Sequence, residues 1–137
     1  MTKQKFLLVA ATISLIGGLF GCGSSTPPPA PLSQFQPEIV NSPDNFQFQA
    51  TAISNVSAVV QYNWSNSGTQ ATVNHSSAVD SGTTLVQIFD STGTEVHNSA
   101  LLPSGSLASS TGVAGTWRIR VTLSHAYGTL NFRAQKL

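Results

Sequence analysis

Charge and cysteine are the scarcest features of this 137-residue sequence. Only 8% of the residues are charged, against about a quarter in ordinary soluble proteins. Without a basic excess the chain has no global attraction to nucleic acid, and we expect no nucleic-acid partner. The single cysteine, Cys22, excludes an intramolecular disulfide. Helical spacing is missing too, because no segment after residue 37 shows it over two turns, and this excludes a helical domain.

The first 22 residues have the three parts of an export signal. Lys3 and Lys5 supply a positive start, an apolar run extends from Phe6 to Phe20, and small residues surround Cys22. The run has about 15 residues, whereas a transmembrane helix needs roughly 20. We therefore expect residues 1–21 to be a cleaved signal peptide.

The segment Leu19-Phe20-Gly21-Cys22 resembles the lipobox of bacterial lipoproteins. This resemblance implies that Cys22 carries a thioether-linked diacylglycerol and a further acyl chain, such as palmitate, on its amine. Two or more acyl chains hold a protein stably on a membrane. Gly23 and Ser24 follow the cysteine, so no Asp stands just after it. In Gram-negative lipoproteins the absence of Asp there favours transfer to the outer membrane, and the resemblance implies that location if the host is Gram-negative. The expected location is therefore the cell envelope, with the membrane bound through the lipid anchor.

A proline-rich segment separates Cys22 from the rest of the chain. Residues 22–36 contain four prolines and no pattern that could bury surface, which is typical of an extended polyproline II spacer. We expect an acylated tether here, followed by one domain over residues 37–137.

Beyond residue 37 the apolar residues recur at every second position, as in half-buried β-strands. Asp90-Ser91-Thr92-Gly93 predicts a tight turn into a return strand that contains Val96. The stretch from Leu85 to Phe89 indicates a central strand buried on both faces. Ser99 to Gly115 predicts a surface loop or a short irregular edge. The alternating stretches are 46–52, 58–64, 117–123 and 130–134.

The last two of these stretches flank Ser124 to Gly128, which predicts a C-terminal β-hairpin. Together the patterns predict an all-β fold. We expect a single β-sandwich, jelly-roll-like, of about seven to eight short antiparallel strands.

Three segments, 83–96, 115–121 and 128–132, resemble the bacterial pre-peptidase C-terminal domain and related jelly rolls. That family has a strand, an Asp-x-x-Gly turn, a second strand and a terminal hairpin. Its members usually have acidic residues just before the central strand, which sometimes bind calcium. This chain has Ser81-Gly82-Thr83-Thr84 at that position, so we expect no calcium site.

Motifs for chemistry are missing from the sequence. His75, His97 and His125 lack the close spacing of metal ligands, and we expect them to be solvated strand ends or loop residues. No G-x-S-x-G motif appears. Asp80 and Asp90 would lie about 33 Å apart along one strand, whereas a glycosidase pair needs at most about 9.5 Å. We therefore expect no catalytic residue, no metal and no cofactor, and a protein that is not an enzyme.

The arginines and one tyrosine are the candidates for binding a partner. Arg118 and Arg120 alternate with apolar residues, and Arg133 lies on the outer face of the strand expected to pair with theirs. We expect the three to cluster on one sheet surface, either as a solvated face that resists aggregation or as a contact for anionic lipid, glycan or protein. Tyr127, in the expected hairpin loop, is the aromatic residue left to stack on a sugar.

The expected function is that of a membrane-anchored envelope lipoprotein that displays a non-catalytic β-sandwich as a binding or structural module. Two alternatives stay open. One is a glycan- or peptidoglycan-binding module, and the other is an accessory subunit or inhibitor of a secreted hydrolase.

Overall fold

The computed structural model describes Gly23 and residues 25–137. The expected signal peptide and Cys22 lie outside the described residues. The described chain is nearly all β, with one short 3-10 helix at Leu32–Phe35 and seven strands in one sheet, each pair antiparallel. The strands are β1 (Glu38–Ser42), β2 (Asn45–Asn66), β3 (Ala71–His75), β4 (Ala78–Phe89), β5 (Glu95–Ser99), β6 (Gly105–Ala108) and β7 (Gly115–Lys136). In this part of the chain no helix has the length and apolar character needed to span a membrane.

The strand β2 folds back on itself. The Phe46 and Tyr62 rings have their centroids 5.3 Å apart, although 16 residues of straight strand would separate them by about 50 Å. At the two ends of β2, the Asp44 N–H donates to the Ser65 carbonyl at 2.8 Å. The single sheet is therefore folded into two facing layers, which is the sandwich-like all-β domain expected from the sequence.

The two long strands contribute to both layers. In the first layer, β1 pairs with residues 45–49 of β2, and residues 45–50 of β2 pair with the C-terminal part of β7. On its other side this part of β7 pairs with β3, and β3 pairs with the edge strand β6. In the second layer, residues 58–66 of β2 pair with 115–123 of β7, followed by β4 and β5. Two tryptophans, Trp64 and Trp117, are among the largest fully buried side chains between the layers.

Backbone irregularities on three neighbouring strands produce the bend between the layers. The pairing of β2 with β7 shifts register three times between Ala50 and Ala58. Positive φ angles occur at this bend on all three strands, at Ala52, Asn55, Gly82, His125 and Gly128. Such bulges bend strands sharply and let one strand pass from one layer to the next.

The C-terminal hairpin predicted from the sequence is wrong. Residues 115–136 form one strand, β7, and Ser124 to Gly128 is the place where it bends. Positive φ occurs both at this bend and in many tight turns, so the same residue types are found in either. Ala52, expected on the core face, is exposed because the bulge transfers the buried position to Ile53.

The predicted turn and return strand are confirmed. The Asp90 carboxylate oxygen Oδ1 accepts from the Thr92 N–H at 2.9 Å and from the Thr94 N–H at 3.0 Å. Gly93 has φ 87°, and Val96 is buried in β5. The strand from Leu85 to Phe89 differs from expectation, because only its inner face, Val86 and Ile88, is fully buried. The stretch from Ser99 to Gly115 contains β6, a short edge strand.

Part of the expected tether packs on the domain. The Ala30 N–H donates to the Asn55 carbonyl at 2.7 Å, and the Asn55 side chain donates to the Pro27 carbonyl at 3.2 Å. Leu32 is buried in the core cluster. The packed chain therefore begins before residue 37, because the proline-rich stretch ends in an apolar residue that fills the space beside β2.

Candidate functional site

Arg118 and Arg120 lie together on the outer surface of the second layer. Both belong to β7, where Trp117, Ile119 and Val121 alternate with them and point into the core. This period-two pattern places the two guanidinium groups on the same side of the sheet, as the sequence predicted.

Both guanidinium groups cover one aromatic ring. The Cζ atoms of Arg118 and Arg120 lie 4.8 Å and 5.1 Å from the centroid of Phe89. Phe89 is the last residue of β4 and pairs with Arg118 across the sheet. A ring face attracts a cation electrostatically, so Phe89 holds the two side chains against the sheet. We call Arg118, Arg120 and Phe89 the arginine face.

The two arginines lack a carboxylate partner among the described residues. The one salt bridge in residues 23 and 25–137 joins Lys136 Nζ to Asp44 Oδ2 at 3.3 Å. Glu95, paired with Phe89, is bonded instead to the Gln87 and Asn98 amides at 2.8 Å and 3.2 Å. The Nε atoms of both arginines are buried without a hydrogen-bond partner, and an unsatisfied buried polar group costs about 1–3 kcal/mol. The arginine face is therefore a pair of like charges that no carboxylate of the described residues neutralises.

Arg133 lies in the other layer. It follows the bend in β7, pairs with Gln47 and donates from Nη2 to the Gln47 Oε1 at 3.0 Å. The expected cluster of three arginines on one surface is therefore wrong, because the outer surfaces of the two layers face opposite ways. The prediction assumed that residues 117–123 and 130–134 pair as a hairpin. Because β7 bends at Ser124 to Gly128 instead, the residues after 128 belong to the opposite layer.

A shallow cleft surrounds Arg133 on the first layer, with a volume of about 230 Å³. Four of its six lining residues carry an amide or hydroxyl side chain. The Asn74 side chain is fixed at both ends, since it donates to Gln135 and accepts from the Ser106 hydroxyl at 2.8 Å. Tyr127 lies at the bend, is 37% exposed and is not among the lining residues. The cleft is lined by Gln47, Asn74, His75, Ser76, Asn131 and Arg133.

The sequence reasoning missed a pair of buried histidines. His75 and His97 are only 5% and 7% exposed, with ring centroids 6.4 Å apart. Burial lowers the pKa of each imidazole, and the proximity of His75 lowers that of His97 further. His75 has the same parity as the core residues Ala71 and Val73, and this signal could have placed it inside. No group of three or more His, Cys, Asp or Glu residues in the described part of the chain could hold a metal ion.

Comparisons with known proteins place no further constraint on this site. No family model matches the chain, and no curated protein or solved structure matches it either.

Proposed function

We propose that this chain is a lipid-anchored protein of the bacterial cell envelope whose β-sandwich is a non-catalytic module that binds an anionic partner through the arginine face. The anchor is supported by the lipobox-like segment that ends at Cys22. The binding role is supported chiefly by one observation: Arg118 and Arg120 both cover the Phe89 ring, and neither has a carboxylate partner within the part of the chain that the structure describes.

The arginine face suits an anion for three reasons. A guanidinium group presents its N–H donors as a planar fork that matches carboxylate and phosphate oxygens. The two arginines are also held in place by Phe89 before a ligand arrives, so less side-chain entropy is lost on binding. An anion at this position would reduce the repulsion between the two cations.

The test uses vesicles that contain phosphatidylglycerol as a defined anionic probe, with a form of residues 23–137 that carries no acyl chain. Each arginine near an anionic membrane surface contributes about 1 kcal/mol to the free energy of membrane binding. We therefore expect Arg118→Gln/Arg120→Gln to weaken vesicle binding by about 30-fold and to flatten its dependence on salt.

Arg133→Gln is the matched control for Arg118→Gln alone, since each variant removes one positive charge and the two charges lie on opposite layers. Equal losses in the two variants would show that net charge, and not the arginine face, governs binding. Folding should change little in Arg133→Gln, because an exposed charge contributes little stability. Arg118 and Arg120 are half-buried against Phe89, so binding by their variants is compared under conditions where each variant is folded. Circular dichroism and urea denaturation would check this.

A glycan-binding module remains the second candidate, and the cleft around Arg133 favours it. Amide and hydroxyl side chains there can bond to sugar hydroxyl groups. Asn131→Ala should then weaken retention on peptidoglycan, and added salt should change that retention little. Arg118→Gln/Arg120→Gln should leave retention on peptidoglycan unchanged. Stacking by Tyr127 predicts instead that Tyr127→Ala alone causes the loss.

A further inference from the structure

His75 and His97 come from different layers and meet through one hydroxyl group. His75 ends β3 in the first layer, and His97 lies in β5 of the second. The Ser99 Oγ is 2.9 Å from the His97 Nε2 and 3.5 Å from the His75 Nε2. These three side chains form a polar bridge between the layers at the flank where β5 and β6 lie.

The backbone fixes which atoms of this bridge carry protons. The Leu102 N–H donates to the His75 Nδ1 at 3.4 Å, so that nitrogen is unprotonated and the neutral ring holds its proton on Nε2. The His75 Nε2–H then donates to the Ser99 Oγ, and the Ser99 O–H donates to the His97 Nε2. The Leu102 N–H, the His75 Nε2–H and the Ser99 O–H all have acceptors only while both imidazoles are neutral.

A further proton on either ring disrupts the bridge. On His75 it would go to Nδ1, which already faces the Leu102 N–H donor. On His97 it would go to Nε2, which would leave the Ser99 hydroxyl between two N–H donors. Both rings are also more than nine-tenths buried, where a charge is costly without a counter-ion.

The surrounding charges offer little compensation. Glu95 is the acidic group on β5, and it raises the pKa of His97 only as a minor cause beside burial and His75. The sequences of β3, β6 and the segment 100–104 contain no acidic or basic residue other than His75. On β4, the residue that contacts the segment 100–104 is Thr84, whose Oγ1 accepts from the Leu101 N–H. The acidic residue of β4, Asp80, is exposed and lies four residues before Thr84. The cations of β7 are Arg118, Arg120, Arg133 and Lys136, and each would repel a protonated imidazole.

We propose that His75, Ser99 and His97 form an acid-sensitive latch between the two layers, which releases β5 and the segment 99–104 when the pH falls. The sign follows from the direction of the pKa shifts. An unfolded or released histidine takes up a proton near pH 6.5, whereas the folded rings stay neutral to lower pH. The latch is therefore stable above about pH 6.5 and weakens as the pH falls below it.

The closed latch has consequences for its neighbours. The Ser77 N–H donates to the Leu102 carbonyl at 2.9 Å, and the Leu101 side chain is buried beside it. Release of Ser99 to Leu102 would expose this leucine and the flank of the core. Such a response is independent of the arginine face and goes beyond the proposed binding role.

Amide hydrogen exchange of the full chain in detergent, measured from pH 7.5 to pH 5, tests the proposal. Observed rates are divided by the intrinsic rate at each pH. Above about pH 6.5 the corrected rates should stay level. Below it, opening linked to one proton should rise by up to about tenfold for each unit that the pH falls, and opening linked to two by up to about a hundredfold. We expect this rise in amides of 95–102 but not in residues 117–123 of β7.

His75→Gln/His97→Gln removes both titrating groups, while glutamine keeps a neutral hydrogen-bonding side chain at each position. We expect the double variant to lose the pH dependence in 95–102, whatever its absolute stability. His125→Gln is the matched control, because His125 is exposed at the bend, and it should behave like the natural protein. A pH dependence that survives in the double variant, or that is equal in all strands, would overturn the latch.

Discussion

Replacing Trp117 by alanine tests the packing of the two layers most directly. Trp117 is 0% exposed, and its ring meets that of Trp64 edge to face, with centroids 5.9 Å apart and planes at 88°. Removing a buried tryptophan costs about 3–5 kcal/mol in total. About 0.5–1.5 kcal/mol of that total comes from the lost aromatic pair. The Nε1–H donates to the Val113 carbonyl at 2.7 Å. That carbonyl also accepts from the Ser91 hydroxyl at 3.0 Å, so it stays bonded in the variant.

We therefore expect Trp117→Ala to lower the free energy of unfolding by about 3–5 kcal/mol. Urea denaturation at pH 7, followed by circular dichroism, measures this as a lower midpoint with an unchanged slope. Trp117→Phe keeps a ring but loses the N–H donor, and its loss should be clearly smaller. A loss below about 1 kcal/mol in Trp117→Ala is typical of a surface substitution and would contradict the burial of this residue.

Two further changes test the anchor and the bend. Cys22→Ser should abolish incorporation of labelled palmitate and leave an unprocessed precursor, because acylation precedes cleavage in the lipoprotein pathway; label that persists would refute the lipobox interpretation. Gly128→Ala should destabilise the domain by at least about 2 kcal/mol, because φ is 124° and the added Cβ would collide with the Ala78 carbonyl oxygen. Gly93→Ala is its control, since Gly93 also has positive φ but open space around it, and an equal loss in both would show that the bend tolerates a side chain.

The sequence predicted local structure better than long-range arrangement. Alternation identified residues 46–50, 117–123 and 130–134 as strand segments and predicted their inner faces, and Trp117 and Phe46 are buried as expected. The turn after Phe89 was predictable because the Asp90 side chain bonds to backbone N–H groups only a few residues away. These features depend on neighbours in the chain, and a single sequence displays them.

The bend could not be predicted in the same way. Whether Ser124 to Gly128 reverses the chain or bends it depends on β2 and β4, which pair with β7 on both sides. The buried position of His97 has a similar cause. A bulge in the pairing of β4 with β5 places Val96 as an extra residue, and both Val96 and His97 are buried as a result. Register shifts of this kind leave no periodic mark in the sequence.

The attachment of the tether at Asn55 also limits the orientation that the domain could take relative to a membrane. Asn55 lies in the bend and donates to the carbonyls of Pro27 and Pro28. Under the proposed acylation of Cys22, only five residue steps separate the lipid from this attachment, a reach of at most about 18 Å for any chain of that length. The bend would then face the bilayer closely. The opposite end, where Asp44 meets Lys136, would be the part most accessible to large partners, and the domain could tilt only within that short reach.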